Sequence, residues 1–470
     1  MAGFIAGADR DQPMLLPALV DDYITADAAV RVIDAFVASL DMHALGFGRP
    51  RPALTGRPGY DPRGLLKLYI YGYLNGLRSS RRLEKACTIN LEVIWLLRKL
   101  APDFKTIADF RRDNHCGVTG ACKAFVRFCR QAGLFAAAVA VIDGSKVRAA
   151  ASRRPVIEQA ELEAELVALD RQIGDYLLAL DAADANETDD TSSQQTRAAL
   201  QALKDEREEL LELANAMAAE ERTLGVRGEP EARPMGSGKG AKPPSYNLQI
   251  AVDPDSHMIV HHDLTTDATD NRQLHPMAQA AKAVLDVETL QTIADAGYAN
   301  ASQAAACEAE QIIPAGPAPR PTNTRGDFFG PDVFVYDAAS DSLTCPAGRR
   351  LVRNGSNTRD AAHRYRAENC KHCPLKTSCT TAPRRFVYRH VHHDAMQRMT
   401  QRVKDDPALM RLRRSTVEHP FATLKVYLGR RFLLRGTLKA ATESALAVLA
   451  YNLSRAIKIF GFQALMQRLA

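Results

Sequence analysis

Residues 138–148, AVAVIDGSKVR, end a string of small and β-branched side chains on a single carboxylate, Asp143. A run of this kind bounded by charge reads as a buried central strand. Such a strand excludes an unpaired acid, because desolvating the charge is costly. Asp143 therefore belongs at the strand's end or edge, hydrogen-bonded or holding a cation. The competing reading is an Asp-Gly turn. What decides between them is whether the chain supplies partner acids in similar settings. Residues 291–297, QTIADAG, repeat the pattern with Asp295, and residues 411–425 present Glu418 inside a basic helical pattern. Three acids on separate elements can hold two divalent metals.

At 470 residues the chain has room for two or three domains with sizeable cores. Its formal charge of +6 conceals strong segregation. Residues 344–435 carry 21 Lys+Arg against 6 Asp+Glu, a surplus larger than the charge of the whole chain. That concentration beside a carboxylate helix favours a polyphosphate partner. Residues 156–222 carry 18 Asp+Glu against 5 Lys+Arg, too acidic a stretch to lie on DNA. Asp9, Arg10 and Asp11 stand where a signal peptide needs an apolar core, so a cytoplasmic protein is expected. The most apolar stretch near the C-terminus, 444–460, is interrupted by Asn452, Arg455 and Lys458 and falls short of a spanning helix. No membrane partner is expected.

Taken in order, residues 1–132 read as an all-helical domain. Asp27 is placed to cap a helix over 28–40, and Pro62 suits the first turn of a helix over 61–77. Arg78, Arg81, Arg82 and Lys85 then fall in one turn-plus-helix segment suited to phosphate contact, with a solvated helix face as the bland alternative. Thr106 is placed to cap a short helix that adds Lys105, Arg111 and Arg112 to the basic count. Residues 133–470 read as the second domain. Two insertions interrupt it: an acidic helical hairpin at 156–222, with Leu162, Leu166 and Leu169 and later Leu203, Leu210 and Met217 near heptad spacing, and a cysteine-rich basic segment at 330–400. The Gly- and Lys-rich stretch 225–242 lacks phosphate-loop spacing, since Arg233 stands at the required glycine and Gly240 at the hydroxyl position. It reads as a flexible linker.

Two alternating runs, 246–252 and 257–264, make a hairpin. Asp270 with Gln273 matches a capping box opening the next helix, a structural role that weighs against metal binding. A strand over 289–294, a helix over 301–310 and a strand over 311–314 follow. This order resembles that of ribonuclease H-like folds: an α/β mixed sheet with flanking helices.

Nine cysteines without an export signal point to thiols or metal ligands rather than disulfides. Cys345, Cys370, Cys373 and Cys379 include a Cys-x2-Cys turn and suit one structural zinc, with His363 or His372 able to replace one of them. Cys87, Cys116, Cys122, Cys129 and Cys307 lack partner spacing and read as packing residues.

On a wheel of about 100° per residue, Arg411, Arg414 and Lys425 project within about 40° of Glu418 if the helix is continuous. Val417, Phe421, Leu424 and Leu428 form an adjacent stripe that docks it. Pro420 implies either a kink or a new helix start. The spacing Arg414-x3-Glu418-x6-Lys425 resembles the glutamate signature of DDE transposases of bacterial insertion sequences, which begins with a tyrosine where this chain has Arg411. IDGSKV around Asp143 and ADAGY around Asp295 resemble that family's two aspartate motifs. PDFKTIADFRR, YNLQIAVD, TTDATDNRQL and the cysteine segment are similar to one branch of it.

The resemblance implies cleavage of DNA at the element's ends and joining of the freed 3′ hydroxyl to target DNA, with Asp143, Asp295 and Glu418 holding Mg²⁺ or Mn²⁺. It implies phosphate contacts from Arg414 and Lys425, a helical DNA-binding domain at 1–132, and a homodimer on double-stranded DNA. The rivals are a ribonuclease H-like nuclease without strand transfer and a non-catalytic zinc-dependent DNA-binding relic.

Overall fold

The computed structural model describes residues 19–48, 59–151, 156–185, 190–236, 242–319 and 328–470. Asp9, Arg10, Asp11 and the Gly238-Lys239 pair lie outside them.

The N-terminal part is helical: α1 (Ala29–Ala38), α2 (Pro62–Leu74), α3 (Ser80–Ile89), α4 (Leu91–Leu96), α5 (Phe104–Asp113) and α6 (His115–Gln131). Asp61 caps α2 by accepting from the Arg63 N–H at 2.8 Å, with Pro62 in the first turn, where its missing N–H costs nothing. The other two caps differ from expectation. Ala28, not Asp27, precedes α1 and offers no side-chain cap. Asp103, not Thr106, caps α5, accepting from the Lys105 and Thr106 N–H groups at 2.9 Å each.

A six-stranded mixed sheet follows. Its central strand β1 (Val139–Arg148) leads, after β2 (Val156–Glu158), into the helices α7 (Gln159–Ala185) and α8 (Asp190–Ala219). These helices pack as an antiparallel hairpin through a seam of Leu162 and Leu169 against Leu210, Leu213 and Met217. β3 (Leu224–Val226) pairs with β2 at the hairpin's base, and β4 (Arg233–Pro234) joins the main sheet. The described part of the stretch expected to be a linker, residues 225–236, is thus built into the fold. Its Glu229 is buried, taking the Ala151 N–H at 2.8 Å and the Tyr246 hydroxyl at 2.9 Å.

The sheet continues with β5 (Pro244–Val252), β6 (Ile259–Thr265), α9 (Leu274–Leu285), β7 (Leu290–Ile293), α10 (Ala301–Ala309) and β8 (Ile312–Ala315). β5 lies antiparallel to β1 with β6 on its outer edge, and β7 and β8 run parallel to β1 on the other side.

A separate five-stranded antiparallel sheet contains β9 (Val335–Asp337), β10 (Ser342–Thr344), β11 (Arg350–Asn357), β12 (Ala362–Ala367) and β13 (Phe386–His390), around Phe334, Leu343, Leu351, Tyr365 and Val387. The chain ends in α11 (His393–Asp405), α12 (Ala408–Tyr427), α13 (Thr437–Phe460) and α14 (Phe462–Leu469). α13 packs against α2, α5 and α6 and also against β6 and α12, so the N-terminal helices and the sheet share one hydrophobic core. Among the described residues no single helix is long and apolar enough to cross a membrane. Cys87, Cys122, Cys129 and Cys307 are buried packing residues as expected, whereas Cys116 is exposed.

Candidate active site

The parallel register of β1 and β7 pairs Val141 with Ile293. Two residues further along each strand direction stand Asp143 and Asp295. Side chains two apart on a strand share a face, and neighbouring strands lie about 4.8 Å apart. The two acids therefore meet where the parallel pair ends, the place where open α/β sheets bind ligands.

One guanidinium joins them. Arg413 Nη2 lies 2.8 Å from Asp143 Oδ1 and 3.2 Å from Asp295 Oδ2. Asp143 also accepts the Gly144 N–H at 2.8 Å, and Asp295 the Gly297 N–H at 2.7 Å. Asp143 is 16% exposed and Asp295 42%, so the pair opens to solvent on the Asp295 side. Burial pushes the Asp143 carboxyl up to about 6; Arg413 and the Gly144 N–H oppose the rise, and the charge of Asp295 adds to it.

A second carboxylate network braces the loop that carries Asp295. Asp270 Oδ1 accepts from Asn247 Nδ2 at 2.6 Å, Gln249 Nε2 at 2.8 Å and Lys146 Nζ at 3.1 Å. Asp270 therefore does not cap a helix as expected. α9 begins at Leu274 after Gln273, with no side-chain cap. The buried Tyr298 hydroxyl donates to Gln249 Oε1, and its pKa is raised well above the usual value by burial and then by Asp270, Asp143 and Asp295. The glycines of both aspartate motifs follow from this crowding. A Cβ on Gly144 would collide with Gln249 Nε2 and sit 2.8 Å from Asp270 Oδ1; one on Gly297 would sit 2.9 Å from Asp295 Oδ1.

α12 packs across β1 and β7 and is continuous through Pro420. A helical proline leaves the carbonyl four residues back without its partner. Here that carbonyl, of Thr416, accepts from His257 Nδ1 at 3.3 Å. The docked face is Val417, Pro420, Phe421 and Leu424, and Arg413, one turn before Val417, continues it. Glu418 is exposed on the other flank with Arg411, Arg414 and Lys425. Five residues separate Arg413 from Glu418, about 140° around the axis, so the helix phase that aims Arg413 at the aspartates turns Glu418 away. Asp143 and Asp295 are hard oxygen donors of the kind Mg²⁺ takes, but among the described residues no three His, Cys, Asp or Glu side chains lie close enough to hold a metal ion.

That statement covers the cysteines as well. Cys370 is buried, and Cys345 and Cys379 pack against the core of the five-stranded sheet. The Cys379 thiol is pushed up by burial, which Arg385 opposes; the charges of Cys370, Cys345 and Cys373 add to the rise.

The basic residues divide. Arg81, Arg82 and Lys85 are exposed on α3, whereas Arg78 and Arg111 point inward. Arg111 is 4% exposed, stacks over Tyr69 and donates to the Arg78 carbonyl at 3.1 Å. Arg78 donates to the Arg431 carbonyl at 3.0 Å and faces the fully buried Glu443 at 3.8 Å. The expectation of surface phosphate contacts from these two is corrected: they tie the N-terminal helices to α13. Sequence reasoning also missed Arg413, choosing Arg414 from its spacing to Glu418. The signal for Arg413 was its place in the apolar stripe, four residues before Val417.

Two family models match the chain: a transposase domain (DUF772) over residues 19–113 and a transposase DDE domain over residues 344–457. The first spans α1 to α5; the second includes α12 and Glu418 but neither aspartate. No curated protein and no solved structure matches.

Proposed function

We propose that this DDE-type transposase of an insertion sequence cleaves the ends of its element and joins them to target DNA at Asp143, Asp295 and Glu418. The observation that carries this reading is the meeting of Asp143 and Asp295, 152 positions apart in sequence, just past the point where the parallel pairing of β1 and β7 ends. The sheet order β6-β5-β1-β7-β8, antiparallel on one side of β1 and parallel on the other, supports a ribonuclease H-like catalytic domain at 133–470, with the hairpin and the five-stranded sheet as insertions.

The two aspartates fit Mg²⁺ or Mn²⁺ by donor type and by access to solvent. Glu418, turned away from them on the exposed flank of α12, would join them after a rotation of that helix. Asp143 and Asp295 would hold the metal, and the chemistry it would supply is activation of the attacking water or 3′ hydroxyl and stabilisation of the leaving oxygen. Arg414 and Lys425, exposed beside Glu418, hold backbone phosphates, and Arg81, Arg82 and Lys85 bind element ends from the helical domain at 1–132. Zinc at Cys345, Cys370, Cys373 and Cys379 belongs to the same reading, which rests on the Cys-x2-Cys spacing and on Cys345, Cys370 and Cys379 packing with one small core, and is checked by the metal content of the purified protein. Pairing of two ends calls for a homodimer on DNA.

The test is incubation of the protein with Mg²⁺ or Mn²⁺ on plasmid carrying the DNA that flanks its own gene, alongside Asp143→Ala, Asp295→Ala and Glu418→Gln. Cuts at fixed positions, followed by joining to a second plasmid and lost in all three variants, are expected. Cutting without joining means a nuclease; end binding without cutting means a relic.

A further inference from the structure

We propose that Arg413 is a resident counter-ion of the aspartate pair, which a divalent metal must displace to bind. The inference rests on the reading of Asp143 and Asp295 as metal ligands. Three observations carry it. The same nitrogen, Nη2, contacts both carboxylates, at 2.8 Å and 3.2 Å, and so takes up the oxygens a shared cation requires. The Arg413 side chain is 17% exposed, which places its charge in a region where an unneutralised pair of acids repels strongly. Its Nε is buried and, among the described residues, has no hydrogen-bond partner. The guanidinium is therefore held by attraction to the two acids, without a complete set of hydrogen bonds, and an ion that satisfies the acids better releases it.

The arrangement has a structural purpose. Metal-free, the chain must fold with two carboxylates side by side, and Arg413 removes that repulsion. The helix phase argued above links this to Glu418. While Arg413 is seated on the aspartates, Glu418 lies about 140° away around the helix, so release of Arg413 and arrival of Glu418 are alternatives of one helix orientation. Seating Arg413 thus opposes metal binding twice, by occupying the donors and by withholding the third acid.

The experiment is Mn²⁺ titration of the full-length protein without DNA, followed by calorimetry and by the Mn²⁺ electron paramagnetic resonance signal, for wild type, Arg413→Gln, Arg414→Gln and Asp143→Asn. Arg413→Gln is expected to bind Mn²⁺ about tenfold more tightly than wild type, the size of a typical coupling between two sites. Arg414→Gln, which removes an exposed charge on the same helix, is expected to change affinity by less than about twofold, because solvent and salt screen it. The rise in Tm on adding Mn²⁺ is expected to be larger in Arg413→Gln, whose metal-free form retains the repulsion. Should the glutamine variant fail to fold, Arg413→Met keeps the packing of the stem without the charge. Unchanged or weaker binding in the Arg413 variant, with binding still lost in Asp143→Asn, overturns the counter-ion role and leaves the metal site standing. Equal tightening in Arg414→Gln also overturns it, since the effect is then general charge. Wild-type binding in Asp143→Asn removes the metal site and the proposal together.

Discussion

Two of this molecule's clusters of arginine and carboxylate, one around Glu443 and one around Asp143 and Asp295, differ in what surrounds them. Glu443 is fully buried, its Oε1 taking the Leu433 and Leu434 N–H groups at 2.9 Å and 2.7 Å, with Arg78 and Arg111 closing over it. Asp143 and Asp295 share Arg413 at the open end of two strands, with Asp295 42% exposed. Burial pushes both Glu443 and Asp143 up, against the pull of the arginines. The first cluster is closed to solvent, with one Glu443 oxygen held by two main-chain donors, and ties helices together. The second leaves its carboxylates reachable, which a cation site requires. Charge pairing alone does not separate structure from function; access does.

The comparison breaks if substitutions in the two clusters do the same thing. The largest effect expected is from Asp143→Ala or Asp295→Ala, which should reduce end cleavage to background while leaving the denaturant midpoint near that of wild type; a collapse of folding instead would make the open cluster structural. Next, Glu443→Ala should cost about 3–5 kcal/mol in chemical denaturation, because it strands two buried arginines. A fully folded variant of wild-type stability would sink the tie between the N-terminal helices and α13.

A smaller effect sharpens the division among basic residues. Replacing Arg81, Arg82 or Lys85 by Gln should each lower the slope of log affinity against log salt by about one in a filter-binding or anisotropy assay. Arg111→Gln should lower stability and leave that slope unchanged, since the side chain is buried.

The smallest effect is a pH dependence. The folded Asp143 carboxyl, at about 6, lies above its ordinary value, so the folded state holds this proton more tightly than the unfolded one. This group's contribution to stability therefore falls as pH rises from the ordinary carboxyl range through about 6. The metal-free wild type should lose stability relative to Asp143→Asn as pH rises across that window, and Mn²⁺ binding should weaken as pH falls through about 6, where the carboxyl protonates. Parallel stability curves for the two proteins would show that Asp143 titrates normally.

Much of the local structure was legible in the sequence because it depends on near neighbours. The apolar run before Asp143, its repeat before Asp295, the Asp253-Pro254-Asp255 turn between β5 and β6 and the heptads of α7 and α8 each carry their signal within a few residues. Capping was less legible. Asp27, Thr106 and Asp270 all had the chemistry of a cap, and local competition or distant partners decided otherwise: Asp103 was the better placed acceptor for α5, and Asp270 was taken by Asn247, Gln249 and Lys146.

What the sequence determined by itself is a mixed α/β chain with an aspartate after each of two apolar runs and a basic helix bearing Glu418, since periodicity and composition set these element by element; Asp143, expected at a strand's end or edge, instead lies inside β1, paired with Ile250, because β5 carries the pairing on to Arg148. Only the tertiary structure decided which way the arginines face. A guanidinium at the end of a long stem reaches solvent or core equally well, so Arg78 and Arg111 turned inward to Glu443, and Arg413 rather than Arg414 reached the aspartates. The apolar stripe of Val417, Phe421 and Leu424 is local, but what it docks on, β1 and β7, and so where Arg413 is delivered, is a contact between residues far apart in the chain that no local spacing encodes.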